Sequence, residues 1–381
     1  MAVAPLVTRH PLLTVHLYYD AISARAHGDE VSAWAMEDEA FTKEHLTDVD
    51  FVYRGWARLR HGDWRGWLDG EHRWGNPLHR MKNARPFMRT HEPWHRFATD
   101  GHGEWVEREG WETELRELTI LVGMEAGAGD MIMLLRFLSW VASRAKRVYW
   151  LVPRDLKRLA DWFIGDIVGV VTEEPLPSFD RWIMMESLPA IVGAMVPWHE
   201  GYRGCVKARM IDGGRGRMPE LPPSGRATGL CWSGNPAFDN NARRSMDHES
   251  SIRFLLAINE TIRDPAHEAL VSYQRGDAAD VWPSVARDWE RTTGDWHSTY
   301  QSLATECARV ITVDTGLAHL AGAMGMPTYC LVAYDHDFRW QHVVDGCSAW
   351  YPSLRVIKQQ RPGDWSYPIA EVVRQLKTEG R

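Results

Sequence analysis

Long apolar runs are missing from this chain: nowhere do 18 apolar residues follow one another, so no segment reads as a membrane span. The N-terminus, MAVAPLVTRHPLLTVHLYYD, carries one Arg and an apolar stretch broken by Pro. It has neither the basic start, the continuous apolar centre nor the small-residue cleavage site of a secretory leader. Cysteine is scarce. The five residues Cys205, Cys231, Cys307, Cys330 and Cys347 are odd in number, scattered and never spaced C-x-x-C. That pattern speaks against a disulfide framework or a zinc knuckle and makes a reducing cytoplasm the expected compartment. No G-x-S-x-G elbow and no G-K-[ST] loop occurs, which removes the usual hydrolase and P-loop readings. The string Gly127-Ala128-Gly129-Asp130 lacks the third glycine of a dinucleotide fingerprint.

Positive charge is also short overall, with a net charge of −7, so the whole chain does not read as a nucleic-acid binder. Its distribution is uneven, however. Residues 1–50 hold 3 basic against 9 acidic side chains, whereas residues 51–96 hold 10 basic against 4 acidic, with five Trp and five His. A basic segment interleaved with aromatics can follow a phosphate backbone and stack bases, so 51–96 carries a possible nucleic-acid contact. The plainer reading is a solvated helical surface with indoles packed inward.

The first 115 residues contain a weak repeat. Tyr19-x₇-His27-Gly28-Asp29 recurs as Tyr53-x₇-His61-Gly62-Asp63, an offset of 34 residues, the period of tetratricopeptide helix pairs. Residues 1–115 are therefore expected to form a helical arm with degenerate repeats, leaning on the domain that follows, with 75–117 a wrapping linker. From Leu118 the grammar changes to alternating strand and helix. TILVGM (119–124), RVYWLVP (147–153), DIVGVVT and RWIMMESLP read as strands, with helices over 131–145 and 156–163. The Pro/Gly/Arg-rich stretch 212–226 marks a boundary, and strands restart at ATGLCWSG (227–234), HEALVSYQ, RVITVDTG (309–316), GMPTYCLVA and LRVIKQ. The expectation is an α/β chain of two doubly wound domains, 116–222 and 223–381, facing each other across a cleft.

The segment most suggestive of chemistry is 309–340. A buried strand delivers Asp314, the chain turns at Thr315-Gly316, and a small-residue helix begins with His319 one turn in. Unpaired first-turn amides and the positive end of the helix dipole favour a phosphate there; a simple Asp/Thr cap is the structural alternative. With VDTGLAHLAGAMGMPTYCLV, D-x-R-W at Asp337–Trp340, WYPSLRVIKQ, GLCWSGNPAFDNNARRS and GAGDMIMLLRFL in this order, the sequence resembles the family 9 glycosyltransferases. These are the heptosyltransferase-like enzymes, and the likeness is greatest to their tetratricopeptide-linked relatives. It runs from roughly residue 55 to residue 358.

The resemblance implies the GT-B architecture of two Rossmann-like domains and an inverting transfer, independent of metal and cofactor. The sugar would pass from a nucleoside-diphosphate-sugar to a hydroxyl of a glycan, a protein or a modified base in DNA. It implies a general-base role for Asp130 in the loop of Gly127 and Gly129, with Glu125 as the reserve carboxylate. It places Ser233 and Asn235 toward the donor, Arg243 or Arg244 on the leaving diphosphate, and Gln274 near the nucleotide base or ribose. Asp314, Thr315, Gly316 and His319 complete the diphosphate seat. Tyr273, Phe338 and the Met133-x₂-Arg136-Phe137 string depart from the family pattern, which leaves sugar and nucleotide open. Asp335-His336-Asp337 spells D-x-D, a metal–diphosphate signature of a different glycosyltransferase fold, in a chain where such strings arise easily by chance. The alternatives are a non-catalytic nucleotide-sugar-binding scaffold, or the same enzyme acting on a hydroxylated base in DNA.

Overall fold

The computed structural model describes residues 15–42, 46–77, 79–80, 84–99, 105–173, 175–193, 225–238, 240–262, 269–281, 286–288 and 294–379. The boundary expected over 212–226 lies almost entirely outside them.

The arm opens with helices α1 (Val15–Ala26), α2 (Glu30–Phe41) and α3 (Asp48–Arg60). The 34-residue repeat has a geometric counterpart. Gly28 and Gly62 close α1 and α3 with φ of 86° and 84°, a left-handed turn that glycine adopts without steric cost. In each copy the Asp amide reaches back to a carbonyl of the last turn, Asp29 to Ala24 at 2.9 Å and Asp63 to Arg58 at 2.8 Å. The two repeat tyrosines meet, with the Tyr53 hydroxyl donating to that of Tyr19 at 2.7 Å. Between the helices the buried Arg25 guanidinium forks onto Glu37 at 3.0 and 3.1 Å.

The described residues of 75–117 form short elements and contribute to the core. A short antiparallel pair, β1 (Phe97–Thr99) and β2 (Trp105–Glu107), follows a strand-like stretch in which Pro93 bridges Trp182. Phe87 and Trp94 from this segment are core residues. Four parallel strands form the first large sheet: β3 (Thr119–Gly123), β4 (Arg147–Leu151), β5 (Gly169–Val171) and β6 (Arg181–Met184), in the order β5-β4-β3-β6. The helix expected over 131–145 begins earlier, at Ala128, and tightens to 3-10 geometry at Leu135–Phe137 before resuming at Leu138–Ala142.

The second sheet contains β7 (Ala227–Cys231), β8 (Leu270–Ser272), β9 (Ala286–Asp288), β10 (Cys307–Val313), β11 (Thr328–Val332), β12 (Val343–Val344), β13 (Cys347–Ser348) and β14 (Leu354–Lys358). Its order is β12-β13-β14-β11-β10-β7-β8-β9. From β14 to β9 the pairs are parallel, and the β12–β13 hairpin adds an antiparallel edge. The chain is thus mixed α/β with parallel sheets. Strands buried on both faces explain the continuous apolar runs, as in Ile120–Val122 and Val310–Val313. No helix among the described residues is long and apolar enough to cross a membrane.

One apolar cluster links the parts, running from Leu59 and Trp67 of the arm through Val122 and Met133 to Leu317, Trp340 and Tyr351. The arm packs on both sheets: Arg73 and His79 reach Glu125, and Arg96 reaches the Ile191 carbonyl, in the domain that follows it, and three further bonds join it to the second sheet. Arg60 donates to the His336 carbonyl at 2.9 Å, His342 Nε2 pairs with the Leu59 carbonyl at 2.8 Å, and Tyr334 donates to the Gly28 carbonyl at 3.1 Å. On the second-sheet side the connection after β11 supplies the partners: the His336 carbonyl and the Tyr334 and His342 side chains. If the Gly62 turn seats the arm, Gly62→Ala should cost roughly 1–2 kcal/mol, the usual penalty of a left-handed alanine. Urea unfolding reads this directly, and an unchanged midpoint would contradict it.

Candidate active site

The chain leaves β3 at Gly123 and enters the helix Ala128–Leu134 through a tight loop. Ala126 sits at φ 60°, a left-handed conformation that costs a residue with a Cβ energy and that clusters at functional sites. The loop places Gly127 at the N-cap, and Asp130 in the first turn accepts from the Gly127 amide at 3.2 Å. A methyl on Gly129 would stand 2.8 Å from His319 Cδ2 and 3.1 Å from Gly316 Cα. Gly129 therefore serves the close approach of this helix to the helix Gly316–Ala323 that follows β10.

Around Asp130 lies a cluster of opposed charges. Arg339 Nε stands 2.7 Å from Asp130 Oδ1, an ion pair not aligned as a hydrogen bond, while Nη1 donates to Asp337 at 2.7 Å. Glu186 approaches Arg339 at 3.8 Å and Arg73 at 3.9 Å. Burial alone would lower the proton affinity of Arg339, but Asp130, Asp337 and Glu186 together raise it. Glu125, the reserve carboxylate of the sequence reading, is fully engaged. It accepts from Arg73 at 2.7 and 2.9 Å and pairs with His79 Nε2 at 2.9 Å. Burial pushes its pKa up, yet the Arg73 and His79 charges outweigh it and hold Glu125 at about 2. Three of its roughly four acceptor sites are thus taken, and the Arg73 charge makes it a poor base for an acceptor hydroxyl.

Glu186 escaped the sequence reading. Burial and the Glu125 charge push its pKa up to about 8. Alone among the carboxylates of the cluster it accepts no hydrogen bond from a described residue, and its side chain is 23% exposed. The signal was there in the register: β3 and β6 pair through Gly123 and Met184, so Glu125 and Glu186, each two residues further on, leave the sheet side by side.

The facing residues come from the second sheet. Thr315 is the N-cap of Gly316–Ala323, and no side chain caps that helix. The Thr315 hydroxyl is bonded to that of Thr312 at 3.0 Å, and the Trp296 ring lies against Gly316. Burial raises the pKa of Asp314, opposed by the charge of Arg244. Arg243 and Arg244 diverge: Arg243 is exposed and pairs with Asp335 at 2.7 Å, whereas Arg244 stacks over Phe238 at 5.1 Å and lies against Gly234. Phe238 in turn touches Gly127. Gly127, Asp130, Arg244 and Asp314 thus gather in one region.

Four other candidates are placed differently. His319 is buried, with Nδ1 bonded to the Tyr351 hydroxyl at 2.9 Å and its ring 4.9 Å from that of Trp340. Burial pushes its pKa down to about 4, so it is neutral at pH 7 and packs against Gly129. Gln274 is buried and braces a loop: its Oε1 accepts from the Trp232 and Ser233 amides at 3.0 and 2.8 Å, and its Nε2 donates to the Ser233 carbonyl at 3.1 Å. Ser233 is thereby held by main-chain bonds. Asn235 is exposed at the rim, its side chain closing a turn onto the Ala237 amide at 3.0 Å.

Both carboxylates of the D-x-D string hold arginines, Asp335 with Arg243 and Asp337 with Arg339. Among the described residues no group of three His, Cys, Asp or Glu is arranged to take a metal ion. His91-Glu92-Pro93-Trp94-His95 spells H-E-x-x-H, which corrects the expectation that the histidines form no such pair. That motif needs two imidazoles on one helix face, but Pro93 bridges Trp182 in an extended stretch and His91 pairs with the Thr90 hydroxyl at 2.9 Å.

No protein-family model and no curated protein matches the sequence. Among solved structures, the chain is similar to E. coli ADP-heptose LPS heptosyltransferase II at 14% identity and a TM-score of 0.43, over 69% of this chain and 100% of that one. E. coli heptosyltransferase WaaC with ADP-2-deoxy-2-fluoro heptose gives 13% identity and 0.42 over the same shares. The iron-containing dodecameric glycosyltransferase TibC from enterotoxigenic E. coli gives 13% and 0.41, over 73% of this chain and 77% of that one. Scores of this size do not fix the family.

The raised pKa of Glu186 has a sign for stability. The folded state holds the proton more tightly than the unfolded chain, so its contribution is complete below the ordinary glutamate pKa of 4.5 and is lost as pH rises through about 8. Glu186→Gln should therefore stabilise the fold relative to wild type at pH 8 more than at pH 5. Thermal melts at the two values read this, and a difference independent of pH would contradict the assignment.

Proposed function

We propose that this chain is a glycosyltransferase that moves a sugar, with inversion and without a metal, from a nucleoside-diphosphate-sugar to a hydroxyl acceptor. One observation carries the reading: the carboxylate of Asp130 and the uncapped helix start at Thr315-Gly316 stand on helices in direct contact, with Arg244 beside them. A carboxylate on one side suits deprotonation of an acceptor. Arg244, which forms no salt bridge among the described residues, and a helix N-terminus on the other suit a leaving diphosphate.

In this reading the acceptor hydroxyl gives its proton to Asp130. Its oxygen forms the new bond to the anomeric carbon from the face opposite the diphosphate. The old carbon–oxygen bond breaks, and its electron pair leaves on the diphosphate, whose charge Arg244 and the first-turn amides balance. Two Rossmann-like domains in the GT-B manner, and a tetratricopeptide-like arm over residues 1–115, belong to the same proposal. So does the absence of a resident cofactor. The acceptor class stays at a hydroxyl of a glycan, a protein or a hydroxylated base.

A second assignment of the base is favoured by the open lone pairs of Glu186. The pH profile separates the two. General-base catalysis is worth about 10²–10⁴-fold, so Asp130→Asn should lower kcat by that factor while calorimetry shows nucleoside diphosphate still bound. If Asp130→Asn instead keeps its activity and the wild-type rate rises with a midpoint near 8 that Glu186→Gln abolishes, Glu186 is the base. Loss of nucleoside diphosphate binding in every preparation, wild type included, would overturn the transferase reading.

A further inference from the structure

A cavity of about 930 Å³ opens between the edge of the first large sheet and the segment 71–114. Four of its lining residues are Arg80, Arg85, Arg89 and Arg181, and none of them pairs with a carboxylate among the described residues. Among the described residues the Arg85 and Arg181 side chains donate to the main-chain carbonyls of Ala84 and Asp180, both at a long 3.3 Å. The Arg85 Nε atom is buried without a partner. Three glutamates also line the space, but two are neutralised: Arg73 holds Glu71 at 2.7 Å and Arg108 holds Glu114 at 2.8 Å. Among the described residues that leaves Glu92 against four guanidinium groups.

The remaining walls are aromatic. Trp74, Trp105 and Trp182 reach the cavity, and the Trp105 Nε1 donor is also unpartnered. Unmatched donors beside flat rings call for a ligand that brings anionic acceptors and planar faces together. We infer that this cavity binds a short run of single-stranded nucleic acid, its phosphates on the arginines and its bases against the indoles. The net charge of −7 does not oppose this, because at physiological salt charges beyond about 8 Å are screened from the site. An anionic saccharide fits less well: sugar hydroxyls seek carboxylate acceptors, and two of the three glutamates are already spent. The inference stands whether or not the transferase reading does.

The test uses the full chain and a fluorescent oligothymidylate of roughly 12 nucleotides, followed by anisotropy. With about three phosphates neutralised, affinity should fall roughly 20-fold between about 50 and about 200 mM salt. Arg80 and Arg89 are exposed, so Arg80→Gln/Arg89→Gln leaves the fold intact, as circular dichroism will show. This variant should bind more weakly and lose about two thirds of the salt slope. An abasic oligomer of equal length should bind at least about 5-fold more weakly than the oligothymidylate, because the stacking of bases on the indoles is lost. No binding at low salt, an unchanged slope in the double variant, or equal binding of the abasic oligomer would each overturn the inference. Tighter binding of dextran sulfate would overturn it in favour of an anionic polysaccharide.

Discussion

Much of this molecule turns on one guanidinium. Arg339 leaves the short 3-10 turn after β11 and meets Asp130 of the first sheet's loop helix at 2.7 Å, with Asp337 at the same distance on its own side. The two helix N-termini at Gly127 and Thr315 sit close enough that only glycine fits between them at position 129. Two positive helix ends in such proximity repel unless negative charge lies between them, and Asp130 supplies it. The same carboxylate is the one proposed to take the acceptor proton. Joining the halves and poising the base are therefore a single electrostatic problem, and Arg339 is its counterweight.

The arm takes part in this arrangement. Arg73 fixes Glu125 and reaches the Ser187 hydroxyl at 2.9 Å, tying the end of β3 to the turn after β6. Burial pushes the Glu186 pKa up, and the negative charge that Arg73 keeps on neighbouring Glu125 adds to it, so Glu186 holds its proton to about 8. Two glutamates at equivalent sheet positions thus reach opposite protonation states at pH 7 because one has an arginine and a histidine in bonding contact and the other has neither.

The strand pattern of both sheets was legible in the sequence because parallel strands buried on two faces leave continuous apolar runs, as in TILVG and RVITV. The loops at Gly127 and Gly316 were legible for a related reason: small residues at a strand-to-helix turn are rarely neutral in packing. Side-chain partners were not legible. Gln274 is a brace for the Trp232–Ser233 amides, and no local pattern distinguishes a glutamine that faces a ligand from one that saturates its own loop. The choice between Arg243 and Arg244 needed Asp335 and Phe238, residues distant in sequence or placed by a turn. Glu186 was hidden because its character comes from β3–β6 register and from Arg73, 113 positions earlier, and not from its neighbours. The arm's second attachment, to the second sheet, was not legible because its partners Tyr334, His336 and His342 lie far away in sequence.

The central claim is that Asp130 and Arg339 act as one unit across the two halves, and a double-mutant cycle tests it most directly. Asp130→Asn, Arg339→Gln and the double variant are compared with wild type by chemical denaturation. A partly buried pair that couples the halves should give an interaction energy of about 1 kcal/mol or more. Effects that add to within about 0.3–0.5 kcal/mol would mean that the two groups are merely neighbours, and the account of the joint would fail.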